Sequence, residues 1–185
     1  QHMLMELFEK QSMPVYKFGE IMYLPKIEEK YWVKFIVGGF ERTNKSITEE
    51  LASQIAQTVS CHPYYVQQLA HLTWINTQKK ATTEIITQSA DDLLNQNAIL
   101  YYKETEDFSS TQLNFLKAVA SNATELSSKE TIARFNLGTS ANVNKLKETL
   151  QTKEVIDIQM GKVEFIDPAY ELWFKKNVMK MNTLN

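Results

Sequence analysis

The run Ser60-Cys61-His62-Pro63-Tyr64-Tyr65 gathers a thiol, an imidazole and two phenols around a proline. Proline suits the first position of a helix, because the N–H it lacks would have had no intrahelical partner there. The run therefore predicts a polar turn ending at Cys61-His62 and a helix opening at Pro63. The start of a helix offers free amides and the positive end of the peptide dipoles, and these favour anions. With the rings of Tyr64 and Tyr65 beside it, such a start makes a wall on which a nucleotide could lean. The competing reading is a plain helix start whose tyrosines pack on a bundle.

Other chemistries find less support. Cys61 at a helix start could have a lowered pKa, but its one evident neighbour is His62, and an ordinary half-buried cysteine is the simpler reading. His62 and His71 lie nine residues apart, a spacing that does not set two ligands on one helix face, and His2 is remote. No metal ligands are assigned. The carboxylate pairs Glu28-Glu29, Glu49-Glu50 and Asp91-Asp92 are sequence neighbours, which diverge on a helix and read as solvated faces. No Ser/His/Asp or Cys/His signature stands out, so no catalytic residue is assigned. The sequence contains no GxxxxGK[ST], so this chain by itself is expected not to hydrolyse ATP.

Composition bounds the elements that must position these residues. The 185 residues suffice for one ordinary domain or two small ones, and 43% hydrophobic with 23% charged residues is the mix of a globular protein. A net charge of −2 gives no general attraction to nucleic acid or anionic membrane. One cysteine cannot form an internal disulfide, and no long apolar span or signal pattern appears; a cytoplasmic protein without membrane contact is expected. The chain opens on Gln1 in an apolar helical phrase, which reads as part of a longer protein.

Hydrophobic spacing predicts a mainly α chain. Residues 1–8 form a short helix and residues 13–25 a strand or extended connector. From Lys26 to Phe40, Ile27, Tyr31, Phe35 and Ile36 make the inward face, with Trp32 on the flank, and Gly38-Gly39 either mark the helix end, the favoured reading, or let another backbone come close. Ser46 and Glu49 have capping-box spacing ahead of Leu51, Ile55 and Val59. The Pro63 helix turns Val66, Leu69, Ala70 and Thr73 inward. A fourth helix from Thr82 towards Tyr102 turns in Ile85, Ile86, Leu93, Leu94 and Leu100, which completes a small bundle. Lys103–Phe108 is charged and aperiodic and is expected to be the boundary. Two more capping boxes, Ser109–Gln112 and Ser127–Glu130, open helices, and Ser140 begins a third. Then the period changes to two: Ile156 and Ile158, Val163 and Phe165 alternate with polar residues about Met160-Gly161. Asp167-Pro168 opens a last helix with Leu172, Trp173 and Phe174. Three helices followed by a hairpin is the winged-helix order.

Three phrases carry a resemblance. HPYYVQQL (62–69), LGTSANVNKLK (137–147) and FIDPAYELWF (165–174) resemble, in that order, the helical lid and carboxy-terminal winged helix of a family of archaeal and bacterial AAA+/STAND-like P-loop ATPases. The resemblance implies that residues 1–25 end an ATPase core, 26–107 form an AAA+ lid-like bundle and 108–185 a winged helix with a β-hairpin wing. It implies ATP with Mg bound in the intact parent only, no cofactor for this piece, and a preceding ATPase core as partner. His62, Pro63 and Tyr64 would lie nearest the adenine, and turnover would move the winged helix about Lys103–Phe108. Many such lids give an arginine to the γ-phosphate. The arginines here are Arg42 and Arg134, neither in the Pro63 helix.

The winged helix also invites a DNA-binding reading, with its third helix in the major groove. Lys145, Lys147 and Lys162 would then contact phosphate, beside Ser140, Asn142 and Asn144. From Ser109 onward ten basic and eight acidic residues give a net +2, a thin footprint for DNA. Protein contact through the same module is as open as DNA, and a protein-interaction module whose lid faces, uncovered by a missing core, hold a partner is the third reading.

Overall fold

The structure, a computed structural model, describes residues 27–159 and 161–181. The helix expected over 1–8 and the strand expected over 13–25 lie outside the described residues. Among the described residues the chain is mainly helical, with one two-stranded antiparallel hairpin. The elements are α1 (Glu29–Glu41), α2 (Glu49–Thr58), α3 (Pro63–Asn76), α4 (Thr83–Glu106), α5 (Ser110–Ala120), α6 (Lys129–Phe135), α7 (Ser140–Thr152), β1 (Ile156–Gln159), β2 (Lys162–Phe165) and α8 (Pro168–Asn177).

At six of the eight described helix starts a side-chain oxygen accepts an orphan amide of the first turn. At α5 the expected capping box is complete: Ser109 Oγ accepts from the Gln112 amide at 3.3 Å, and Gln112 Oε1 accepts from the Ser109 amide at 2.9 Å. Two other boxes are displaced. Thr48, not Ser46, caps α2 by accepting from the Leu51 amide. Ser128, not Ser127, caps α6 by accepting from the Thr131 amide. Ser46 has another task. Its amide donates to the Lys79 carbonyl at 2.8 Å and its carbonyl accepts from Ala81 at 2.9 Å. This isolated bridge ties the α1–α2 connection to the α3–α4 connection.

The first core is built from α1, α2, α3 and the front half of α4. Val66, Leu69, Ala70 and Thr73 of α3 are all buried, as their spacing predicts. On α1 the buried stripe is Trp32, Ile36 and Phe40, whereas Tyr31 and Phe35 are 53% and 52% exposed. The expected inward face is thus rotated by one residue. Both stripes have helical spacing, and the partner helices take the one that includes Phe40 and the indole. Gly38 and Gly39 do not end α1, which continues to Glu41, and among the described residues no other segment approaches them: a Cβ at either would meet nothing there within 4 Å. Glycine in a helix interior costs about 0.5–1 kcal/mol relative to alanine. Gly39→Ala should therefore raise the unfolding free energy by about that amount, which urea titration can check; a destabilised variant would mean that something does approach this face.

The second core takes the rear of α4 with α5, α7, the hairpin and α8. Val143, Leu146 and Leu150 of α7 are buried, as are Trp173 and Phe174 of α8. In the hairpin Ile156 pairs with Phe165 and Ile158 with Val163, and Gly161 takes φ +82 in the connection. Of the expected boundary Lys103–Phe108, the first four residues are the last turn of α4, a helix of 24 residues, and Asp107-Phe108 turn the chain into α5. Leu100, expected inside, is 62% exposed, and Tyr101 is buried in its place. Along α4 the change from one core to the other falls between Leu93 and Leu94. No described helix is long and apolar enough to cross a membrane.

Candidate functional site

The α2–α3 turn fixes the start of α3. Ser60 and Cys61 both take left-handed backbone, with φ 52 and 54. Their amides donate to Gln57 and Ala56 carbonyls at 3.0 and 2.8 Å, which closes the end of α2. Two successive non-glycine residues in this region are costly, and such strain is tolerated where surrounding bonds enforce it. Their effect is to reverse the chain and deliver His62 as the N-cap of α3, with Pro63 at its first position. The His62 side chain does not cap the helix. Its ring lies 5.1 Å from that of Tyr65, and Nδ1 is buried with no hydrogen-bond partner. Tyr64, edge-on to Tyr65 at 5.1 Å, is 56% exposed.

His62 lines the edge of a cleft of about 900 Å³ between the α2–α3 turn, the hairpin and α8. Lys147, Lys162 and Lys175 stand on its other walls over Phe165 and Leu172. By sequence His62 and the lysines belong to different modules, with different ligands in view. The fold gives His62, Lys147 and Lys162 one common space, while Lys145 is exposed on α7 and Pro63 and Tyr64 lie outside the lining. Residues two apart on a helix point to nearly opposite sides, which separates Lys145 from Lys147. Lys162 is joined to Glu164 at 2.5 Å, and that bond, ahead of the carboxylate's charge, holds its pKa up. Lys175 pairs with Glu171 at 2.6 Å.

The seam behind the cleft centres on Asp167. Oδ1 accepts from the amides of Ala169 and Tyr170 at 2.8 and 3.0 Å and so caps α8. Oδ2 accepts from Tyr65 Oη of α3 at 2.8 Å and Tyr101 Oη of α4 at 3.3 Å. Two of the three phrases singled out in the sequence, HPYYVQQL and FIDPAYELWF, thus meet through the Tyr65 hydroxyl and the Asp167 carboxylate. Burial pushes the Tyr65 phenol up to about 12, with the nearby carboxylate adding to the shift, and burial likewise raises Tyr101. Tyr170 Oη is 2.8 Å from Thr105 Oγ1, and burial carries its pKa to about 12 as well. Spacing reveals Asp167 as a cap; no local signal reveals the tyrosines that share it.

Glu104 faces this cluster, and burial first, then the charge of Asp167, raises its carboxyl pKa. A carboxyl with a raised folded pKa holds its proton more tightly when folded, so stability is lost as pH rises from the unfolded value through the folded one. Glu104→Gln removes that loss. The variant should melt at a higher temperature than the parent at pH 7, with the difference shrinking towards zero near pH 4, about the unfolded glutamate value. Equal melting at both pH values would show that Glu104 stays solvated.

No group of three or more potential metal-ligating side chains occurs among the described residues. No family model, curated protein or solved structure matches the chain.

Proposed function

We propose that this chain is the lid and winged-helix portion of an AAA+/STAND-like ATPase, and that α3 presents its start to the adenine of ATP held by a P-loop core. In this reading α1–α4 are the lid, and α5–α8 with the hairpin are the winged helix, whose helix–helix–helix–hairpin order the observed elements follow. The observation that carries it is the start of α3: His62, with its Nδ1 buried and unpartnered, beside the exposed ring of Tyr64, at a helix start opened by proline. A buried nitrogen without a partner carries a desolvation cost, which a turn of the imidazole towards a ligand's polar edge would relieve. An exposed phenol at the same place offers a stacking face for a base. ATP and Mg belong to the intact protein, and output passes through the winged helix to DNA or protein.

The test is photolabelling of the intact protein by 8-azido-ATP with Mg, followed by peptide mapping. Label should fall on the peptide spanning His62–Tyr64. Tyr64→Ala should weaken ATP binding about tenfold, the order expected for one lost stacking ring. Unchanged ATP affinity in folded His62→Ala and Tyr64→Ala proteins would end this reading. DNA contact through Lys145, Lys147 and Lys162 is the alternative; it fits less well with Lys162 already paired to Glu164 and Lys145 turned away from Lys147.

A further inference from the structure

We infer that the bundle α1–α4 and the unit made by α5–α8 with the hairpin form one rigid body, pinned at Asp167, so that the hairpin and α8 move with α3 and the cleft between them keeps a fixed width. Four kinds of contact cross the seam. The first is the pair of phenol–carboxylate bonds, in which Tyr65 and Tyr101, from two different helices of the first bundle, converge on one oxygen of the residue that caps α8. Second is the Lys176–Asp91 ion pair between α8 and α4. The third is aromatic: Tyr101 lies 5.2 Å from Tyr170 and 5.8 Å from Trp173, and Tyr102 meets Trp173 edge-on at 4.7 Å. Fourth, Tyr65 and Leu172 each pack against both cores.

The connection itself adds to this. A hinge needs a few residues able to absorb a change in φ and ψ; of the stretch expected in that role, Lys103–Phe108, only Asp107 and Phe108 leave the helix, and Phe108 is buried with its amide donating to the Thr105 carbonyl at 3.3 Å. Swinging α5–α8 and the hairpin away from α1–α4 would strip the acceptor from two tyrosine hydroxyls, expose Tyr101, which is 2% accessible, and break the ion pair together. Buried polar groups that lose their partners make such a motion costly. The cleft walls belong to both cores, with His62 on one side and Lys162 and Lys175 on the other. A ligand therefore meets a preformed gap of set width.

The experiment uses the 185-residue chain, so its answer is independent of the nucleotide reading. With Cys61→Ser as background, cysteines replace the exposed Lys34 of α1 and Glu148 of α7 and carry spin labels. Pulsed dipolar spectroscopy should give one narrow distance peak. The combination Tyr65→Phe, Tyr101→Phe and Asp91→Ala should broaden or split it while circular dichroism retains the helical signal. Should that combination unfold, the milder pair Tyr65→Phe and Lys176→Ala takes its place with the same expectation. Two peaks in the unmodified seam would overturn the inference. So would a folded seam variant whose peak is unchanged, because the pin would then lie elsewhere.

Discussion

Asp167→Ala should lower the unfolding free energy by about 3–5 kcal/mol, the largest effect expected of a polar substitution in this chain. The magnitude has two sources. Loss of an N-cap side chain costs about 1 kcal/mol, and here two amides, those of Ala169 and Tyr170, lose their acceptor. The hydroxyls of Tyr65 and Tyr101 then lose theirs in a half-buried site, at about 1–3 kcal/mol for each group left unpaired. Tyr65→Phe removes one donor and leaves Asp167 with three, so its cost should be about 1 kcal/mol. Urea unfolding of the parent, Asp167→Ala and Tyr65→Phe at pH 7 decides the matter. If the alanine variant costs no more than the phenylalanine one, Asp167 acts as a surface cap only. The phenols add a second check. With the folded Tyr65 pKa raised to about 12, stability should decline as pH climbs past the unfolded tyrosine value near 10. The decline should be shallower in Tyr65→Phe.

Trp32→Ala should cost about 3–5 kcal/mol, as large-to-small changes of a buried aromatic do, whereas Phe35→Ala on the same helix should cost less than about 1 kcal/mol. The indole is 5% exposed and the Phe35 ring 52%. The two rings touch edge-on at 6.0 Å, which leaves Phe35 a small contribution. Because Trp32 Nε1 is buried without a partner, Trp32→Phe removes an unsatisfied group along with some volume. That variant should be much milder than alanine. Thermal melts of the three variants suffice. Equal losses at 32 and 35 would restore the face that spacing alone suggests.

The α3, α7 and α8 stripes were legible because each helix has one apolar face and polar residues elsewhere. On α1 apolar residues run most of the way round, and periodicity alone does not choose between stripes one residue apart. The Ser46 and Ser127 caps failed for a related reason: serine and threonine lie close together ahead of each helix, and which one caps depends on where the chain is tied. Ser46 is tied to 79–81. In Lys103–Glu106 the charges hid a helix whose buried face, Tyr101, precedes them. Asp167-Pro168 was read correctly as a helix start. Its two tyrosines, 66 and 102 residues away in sequence, could come only from the fold. So too could the left-handed pair Ser60-Cys61 and the cleft that joins His62 to Lys147 and Lys162.

The continuity of α4 bears on how the gene can be divided. Charge and composition invite a stop codon after Asp107, yet a product ending there retains Leu94, Tyr101 and Tyr102 with nothing to cover them. Its complement, starting at Phe108, lacks the helix on which Tyr170 and Trp173 rest. Each half made alone carries a sticky apolar strip, and its poor yield would say nothing about whether the sequence chosen was a natural one. Expression trials that keep residues 27–181 together avoid that confusion, and two half-genes co-expressed from one message become a direct complementation assay for the seam.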